Sequence, residues 1–94
     1  MAAWKTEQHL RDHYGEHGAE FPGASLADYE ASAQQTLDVG TYFEFFDDVS
    51  SEWRLGCYHR ETRRFTVLDE DDRIVSHFRS TESYVRGLLE SNYD

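Results

Sequence analysis

Residues 10–37, LRDHYGEHGAEFPGASLADYEASAQQTL, hold the signals that decide how the chain begins to fold. His13 and His17 stand four residues apart near the end of a predicted helix, and Gly18 follows as its stop signal. Ser25, with an acidic residue three positions later, predicts the cap of a second helix. A spacing of four places both imidazoles on one helical face, which makes that face the first candidate for chemistry.

Hydrophobic periodicity predicts secondary structure along the whole chain, residues 1–94. Helical spacing predicts helices over residues 3–17 and 26–37, and a last helix that begins at Ser80 or Thr81. Alternating apolar and polar side chains predict strands at residues 41–46, 52–60, 64–68 and 73–79. Because the strand connections are short, the sheet should be antiparallel. The sequence therefore predicts one α+β domain: two N-terminal helices packed on a four-stranded antiparallel sheet, with a short C-terminal helix.

The charge of the chain is strongly negative but unevenly distributed. The formal net charge is −10, which argues against a general nucleic-acid binder because phosphate contacts need basic side chains. From Arg54 onward, however, seven arginines nearly balance eight acidic residues. Arginine binds phosphate through two parallel hydrogen bonds, so an anion site in this half is compatible with the composition.

Cysteine usage and hydropathy limit the cellular compartments in which the protein is expected to reside. Cys57 is the single cysteine, so an internal disulfide is excluded. No apolar run approaches the length of a membrane span, and the first residues lack the apolar core of a signal peptide. We expect a cytoplasmic protein without a membrane partner.

The predicted sheet has one face suited to RNA. If the helices cover the face that bears Trp53, Leu55, Ile74 and Phe78, the opposite face carries arginines and aromatic rings. Its predicted members are Arg54, Tyr58, Arg60, His77 and Arg79. Such a surface suits phosphate contacts and base stacking, although an ordinary half-solvated sheet has the same alternation. Ser76 adds a hydroxyl that could bond a phosphate oxygen.

The histidines of the first helix have two interpretations. His13 and His17 titrate near neutral pH, so the pair could take a proton from a ribose 2′-hydroxyl and give one to a leaving oxygen. They could also bind a metal, but the sequence identifies no third or fourth ligand, and we expect neither a metal nor another cofactor. His9 is interpreted as a solvated surface residue.

Two longer patterns, L..HY..HG.EF from Leu10 and R...Y...T..F.V.D from Arg54, resemble small ribonuclease toxin domains of the barnase, EndoU, colicin and RelE-like superfamily. Further matching residues are Ser25, Tyr29, Ala33, Ile74, Ser76, His77 and Phe78. The resemblance covers roughly residues 10–79. It implies the same succession of two helices and four strands that periodicity predicts.

The resemblance also implies functional roles. His13 and His17 match the paired histidines of these domains, Arg54 the strand arginine, and Ser76 the serine or threonine of the last strand. His77 stands where an aromatic residue is usual, which would add a catalytic group. The implied partners are RNA, with tRNA as one substrate class, and an immunity or antitoxin protein.

We therefore expect a toxin-like, metal-independent endoribonuclease. Its expected catalytic residues are His13, His17, Ser76 and His77, and its expected substrate contacts are Arg54, Tyr58, Arg60 and Arg79. The alternative is a non-catalytic module of the same fold whose acidic surface occupies a basic protein. The excess of acidic residues in the first half of the chain motivates that alternative.

Overall fold

The computed structural model describes residues 2–91, which form three α-helices and one antiparallel sheet of four strands. This architecture confirms the predicted α+β class and the predicted order of elements. The helices are α1 (Glu7–His17), α2 (Leu26–Val39) and α3 (Glu82–Ser91). The strands, which lie side by side in chain order, are β1 (Thr41–Asp47), β2 (Glu52–His59), β3 (Arg64–Leu68) and β4 (Ile74–Arg79). None of the helices within residues 2–91 is long and apolar enough to cross a membrane.

The first helix begins later than predicted because Thr6 caps it. The Thr6 hydroxyl accepts a hydrogen bond from the backbone N–H of His9 at 2.9 Å. The residues before the cap are not helical. Trp4 bridges Ile74 in a parallel arrangement, and the N–H of Lys5 donates to the carbonyl of Ile74 at 2.9 Å. This short segment therefore lies along β4, at one edge of the sheet.

The second helix begins where the capping signal predicts. The Ser25 hydroxyl accepts from the N–H of Asp28, and the Asp28 carboxylate accepts from the N–H of Ser25, both at 3.1 Å. This reciprocal pair is the capping box that the sequence indicates. Between the two helices, Gly18–Glu20 forms a single 3₁₀ turn that redirects the chain after α1.

Helices α1 and α2 cover one face of the sheet and enclose the larger core. The buried apolar residues of this layer are Trp4, Leu10, Phe21, Tyr29, Ala33, Leu68 and Ile74. Tyr29 and Ala33 have no exposed surface. The Tyr29 hydroxyl donates to the backbone carbonyl of His77 in β4, which ties α2 to the sheet.

The opposite face carries a second core beneath α3. Its buried members are Phe45, Tyr58, Phe65, Val67 and Val85. The prediction of an exposed cationic face is therefore wrong for much of this surface. Phenylalanines of β1 and β3 point to this side, and the apolar stripe of α3 covers them because that burial is favourable.

A bulge decides which residues of β4 point to each layer. The pairing of β3 with β4 shifts register beside Leu68. As a result Ile74 and His77 both pack in the α1 and α2 layer, whereas Val75 and Phe78 pack in the α3 layer. The predicted grouping of Ile74 with Phe78, and of His77 on the other face, is wrong because the extra residue interrupts strict alternation.

Candidate functional site

A cleft of about 590 Å³ opens on the α3 side of the sheet. All four strands line it, together with α1, α3 and the turn between β1 and β2. The polar side chains that line it are His9, His13, Asp47, Asp48, Ser50, Arg54 and Ser76. Three of them, His13, Arg54 and Ser76, are site residues predicted from sequence. They come from three separate elements, and the fold brings them together.

Arg54 lies in β2 with only 9% of its side chain exposed. Its Nε and Nη1 atoms are buried and have no hydrogen-bond partner among the described residues. Carboxylate oxygens of Glu52 and Asp47 lie 3.1 Å from Nη1 and 3.8 Å from Nε, close enough to balance charge. They do not satisfy these donors, since their positions fall outside hydrogen-bond geometry. Because buried donors without acceptors are costly, Arg54 offers donors to an anion, which would compete with the two carboxylates that already lie beside the guanidinium.

His13 reaches the same cleft from α1. The side chain is half-buried, and its Nδ1 is buried without a hydrogen-bond partner in the described part of the chain. Burial lowers the pKa of His13, and the neighbouring His17 and His9 lower it further. A neutral imidazole has a free lone pair, so His13 can accept a proton near neutral pH.

The three histidines of α1 form a ladder of neighbouring rings, of which His9 and His13 line the cleft and His17 lies next to them outside its lining. Ring centroids are 5.7 Å apart for His9 and His13 and 5.8 Å apart for His13 and His17, with 20° between planes in each pair. The ladder continues onto Phe78 of β4, 5.3 Å from the His17 ring. The interpretation of His9 as a solvated residue is wrong, since it is half-buried and lines the cleft.

Glu20 orients His17, a role that sequence reasoning missed. Its Oε2 lies 2.7 Å from Nδ1 of His17, and its Oε1 accepts the backbone N–H of Arg79 at 2.8 Å. The 3₁₀ turn after α1 places this carboxylate beside the last turn of the helix. The sequence signal for this contact is a glutamate that stands three residues after a histidine at the end of a predicted helix.

His77 lies on the other side of the sheet and is completely buried beneath α2. Its Nδ1 is 2.8 Å from the Thr66 hydroxyl, its Nε2 is 3.0 Å from the Ser32 hydroxyl, and its ring stacks on Phe21. Burial lowers its pKa to about 3. The expectation that His77 shares an exposed face with Arg54 is therefore wrong, because the bulge turns it into the core.

The remaining predicted substrate contacts have structural partners outside the cleft. The Tyr58 hydroxyl donates to the backbone carbonyl of Ser80 at 3.0 Å. The Arg60 guanidinium lies 3.4 Å from a carboxylate oxygen of Glu82. Arg79 turns back toward the backbone carbonyl of Glu20. The structure thus separates these three residues from His13 and Arg54.

A second hollow of about 510 Å³ lies on the α2 side, beside the end of β4. It contains two cations, Arg64 and Arg79, together with the carboxylates of Glu20 and Asp28. The Arg64 guanidinium already donates to the side chain of Gln35 at 3.0 Å. Both arginines of this hollow have hydrogen-bond acceptors within the chain, so the cleft beside α3, where Arg54 has donors without acceptors among the described residues, is the better candidate site.

The structure also supplies a metal-ligand donor that the sequence did not identify. Potential ligand atoms of His13, Glu16 and His17 all lie within 4.8 Å of one another. Their spacing along α1 places them on one face of the helix.

Comparisons of this chain with protein-family models, curated proteins and solved structures find no match. The function is therefore inferred from the chemistry of the cleft and from the residue patterns of the sequence.

Proposed function

We propose that this chain is a small endoribonuclease that cleaves RNA through attack of a ribose 2′-hydroxyl on the adjacent phosphate. The observation that carries the proposal is the convergence of His13, Arg54 and Ser76 on one cleft. Two of these residues hold buried nitrogens without hydrogen-bond partners among the described residues. The resemblance to ribonuclease toxin domains, whose matching residues include these three, supports the proposal.

In the proposed reaction His13 takes the proton of the 2′-hydroxyl. The 2′-oxygen then bonds to phosphorus as the bond from phosphorus to the 5′-oxygen breaks, and His17 gives a proton to that leaving oxygen. The products are a 2′,3′-cyclic phosphate and a 5′-hydroxyl. Arg54 stabilises the negative charge on the phosphorane, and the Ser76 hydroxyl donates to a non-bridging oxygen. No step of this proton transfer requires a metal ion.

Aromatic side chains around the cleft favour single-stranded RNA. Phe78 and Tyr84 meet edge to face at 6.1 Å, and half of the Tyr84 side-chain surface is exposed. Unstacked bases bind such rings in many RNA-binding proteins. Loops of tRNA offer such bases, so tRNA is the first substrate to test. A toxin-like activity would also require an immunity or antitoxin protein as partner.

The decisive experiment incubates the purified protein with total tRNA and with mixed RNA in EDTA. We expect discrete fragments that end in 2′,3′-cyclic phosphate. His13→Ala should lower the cleavage rate by about 100-fold or more, the usual contribution of a positioned acid or base. His17→Ala and Arg54→Gln should also be strongly impaired.

His59→Ala is the matched control, because His59 is half-buried, bonds Thr62 at 2.7 Å and lies outside the cleft. It should cleave at the wild-type rate. Intact RNA with folded wild-type protein would overturn the proposal, as would equal loss of activity in His59→Ala and His13→Ala.

A second candidate function is an acidic binding module, and the hairpin of β1 and β2 favours it. Val49 at its tip is 96% exposed and Trp53 is 50% exposed, although Trp53 was predicted to lie under the helices. Three acidic residues of the same hairpin, Asp47, Asp48 and Glu52, are close neighbours of these apolar residues in the sequence. An apolar patch with an acidic rim suits a basic, amphipathic partner.

The two functions differ in their response to salt and mutation. If the hairpin is the functional surface, a cationic amphipathic peptide should bind the protein at low salt and dissociate as salt rises. Trp53→Ala and Asp48→Asn should weaken that binding, whereas His13→Ala should not. Binding that is unchanged by Trp53→Ala would exclude this candidate.

A further inference from the structure

We propose that His13, Glu16 and His17 form a binding site for a divalent transition-metal ion such as Zn²⁺, and that the bound ion inhibits RNA cleavage. The binding site is independent of the proposed function, whereas the inhibition rests on it. Both ideas start from a cluster in which potential ligand atoms of all three side chains lie within 4.8 Å of one another.

The donor set fits zinc. Imidazole nitrogen and carboxylate oxygen are common zinc ligands, and a tetrahedral ion with bonds of about 2.1 Å holds ligand atoms about 3.4 Å apart. The cluster must therefore contract by about an ångström. The Glu16 side chain can make most of this movement, because 70% of its surface is exposed. The fourth position would stay open to water.

The hydrogen bond that would orient His17 toward a metal ion is already formed, between its Nδ1 and Glu20. Zinc-bound histidines usually donate the N–H of their other ring nitrogen to a carboxylate, which fixes the ring and its tautomer. Nδ1 of His17 lies 2.7 Å from Glu20, while Nε2 faces Glu16 with 3.8 Å between Nε2 and Oε2. Glu20 is itself held by the backbone N–H of Arg79. The geometry thus presents Nε2 to the position that an ion would take.

The helix that carries the cluster is well anchored. Leu10 of α1 is buried in the larger core, and the hydroxyl of Tyr14 donates to the carbonyl of Ala24 at 2.7 Å. Side chains on a fixed backbone lose less freedom when they close on an ion, which favours binding.

The bound ion would suppress cleavage by a direct route. A coordinated imidazole has no free lone pair, so His13 and His17 could not transfer protons while they hold the metal. Zinc would therefore act as a reversible inhibitor of the proposed ribonuclease, and removal of zinc would restore it.

The binding test titrates ZnCl₂ into untagged protein against a chromophoric chelator, without RNA. We expect one ion per chain. His17→Ala and Glu16→Gln should each weaken binding at least tenfold, and Glu20→Gln by about 10-fold to 100-fold as outer-shell changes do. Glu7→Gln, an exposed acid on the same helix, should bind as the wild type does. Absence of stoichiometric binding, or binding unchanged in Glu16→Gln, overturns the site.

The activity test adds ZnCl₂ to the cleavage reaction after EDTA is removed. Wild-type cleavage should fall as the site fills, whereas Glu16→Gln, which keeps both histidines, should cleave normally and resist zinc. Equal inhibition of both proteins overturns the regulatory role. Zinc binding with RNA left intact would support the site and overturn the ribonuclease, so the two failures are distinguishable.

Discussion

The two faces of the sheet each hold a polar site, the pocket of His77 and the cleft beside α3, and the two sites differ in how completely their nitrogens are hydrogen-bonded. On the face covered by α1 and α2, His77 is fully buried and both of its ring nitrogens contact hydroxyl groups. On the α3 face, Arg54 and His13 are largely or partly buried, yet they hold nitrogens without hydrogen-bond partners among the described residues. The hydrogen bonds of His77 are thus complete, whereas those of Arg54 and His13 are not; Trp4 Nε1, in the larger core, is a further buried nitrogen without a partner among the described residues.

This difference separates His77, whose contacts are structural, from His13, for which we propose a catalytic role. Buried polar groups are normally hydrogen-bonded, so an unsatisfied one needs an explanation. His77 needs none, because Thr66 and Ser32 complete its hydrogen bonding. For Arg54 and His13 the explanation that we favour is a ligand with acceptor and donor groups of its own. Loss of His77 should therefore damage stability, whereas loss of Arg54 should damage function.

The largest effect is expected for His77→Ala. The change leaves a cavity, removes the stacking on Phe21 and leaves two hydroxyl groups without hydrogen-bond partners. The free energy of unfolding should therefore fall by about 3–5 kcal/mol. Urea denaturation measures this loss. His59→Ala, which removes a half-buried histidine with one hydroxyl contact, serves as control and should cost about 1 kcal/mol or less. Similar losses in both variants would contradict the assignment of His77 to the core.

An intermediate effect is expected on acidification. The pKa of His77 is near 6.5 when the chain is unfolded and about 3 in the folded state. As pH falls below 6.5 the unfolded chain takes up the proton first, so stability present at neutral pH is lost. The loss should be about 2 kcal/mol between pH 6.5 and pH 5. Urea midpoints at several pH values measure it, and a His77→Gln variant should show a clearly shallower slope.

The smallest effect on stability is expected for Arg54→Met. The substitution removes two buried, unsatisfied donors and keeps apolar volume, while Asp47 and Glu52 remain hydrated at the surface. The change in unfolding free energy should therefore be within about 1 kcal/mol of zero. The same variant should lose RNA cleavage. A loss of several kcal/mol would place Arg54 among the structural residues and erase the contrast between the two faces.

Part of the candidate site was predictable from sequence. The spacing of His13 and His17 predicts a shared helical face, and the sequence pattern also predicts Arg54 and Ser76 as site residues. His77 was misplaced and Glu20 was overlooked. Both errors concern contacts between distant segments: His77 packs against residues of α2 and β3, and Glu20 reaches the backbone of Arg79.

Features that depend on local hydrogen bonds and periodicity follow from the sequence alone. These are the capping box at Ser25, the end of α1 at His17, and four strands in an antiparallel order. Only the tertiary structure decided which residues meet, because a bulge beside Leu68 changes which side chains of β4 face each core. The same bulge leaves Phe78 beside the cleft and encloses His77. Local rules cannot place that irregularity, since it arises from pairing between strands rather than from either strand alone.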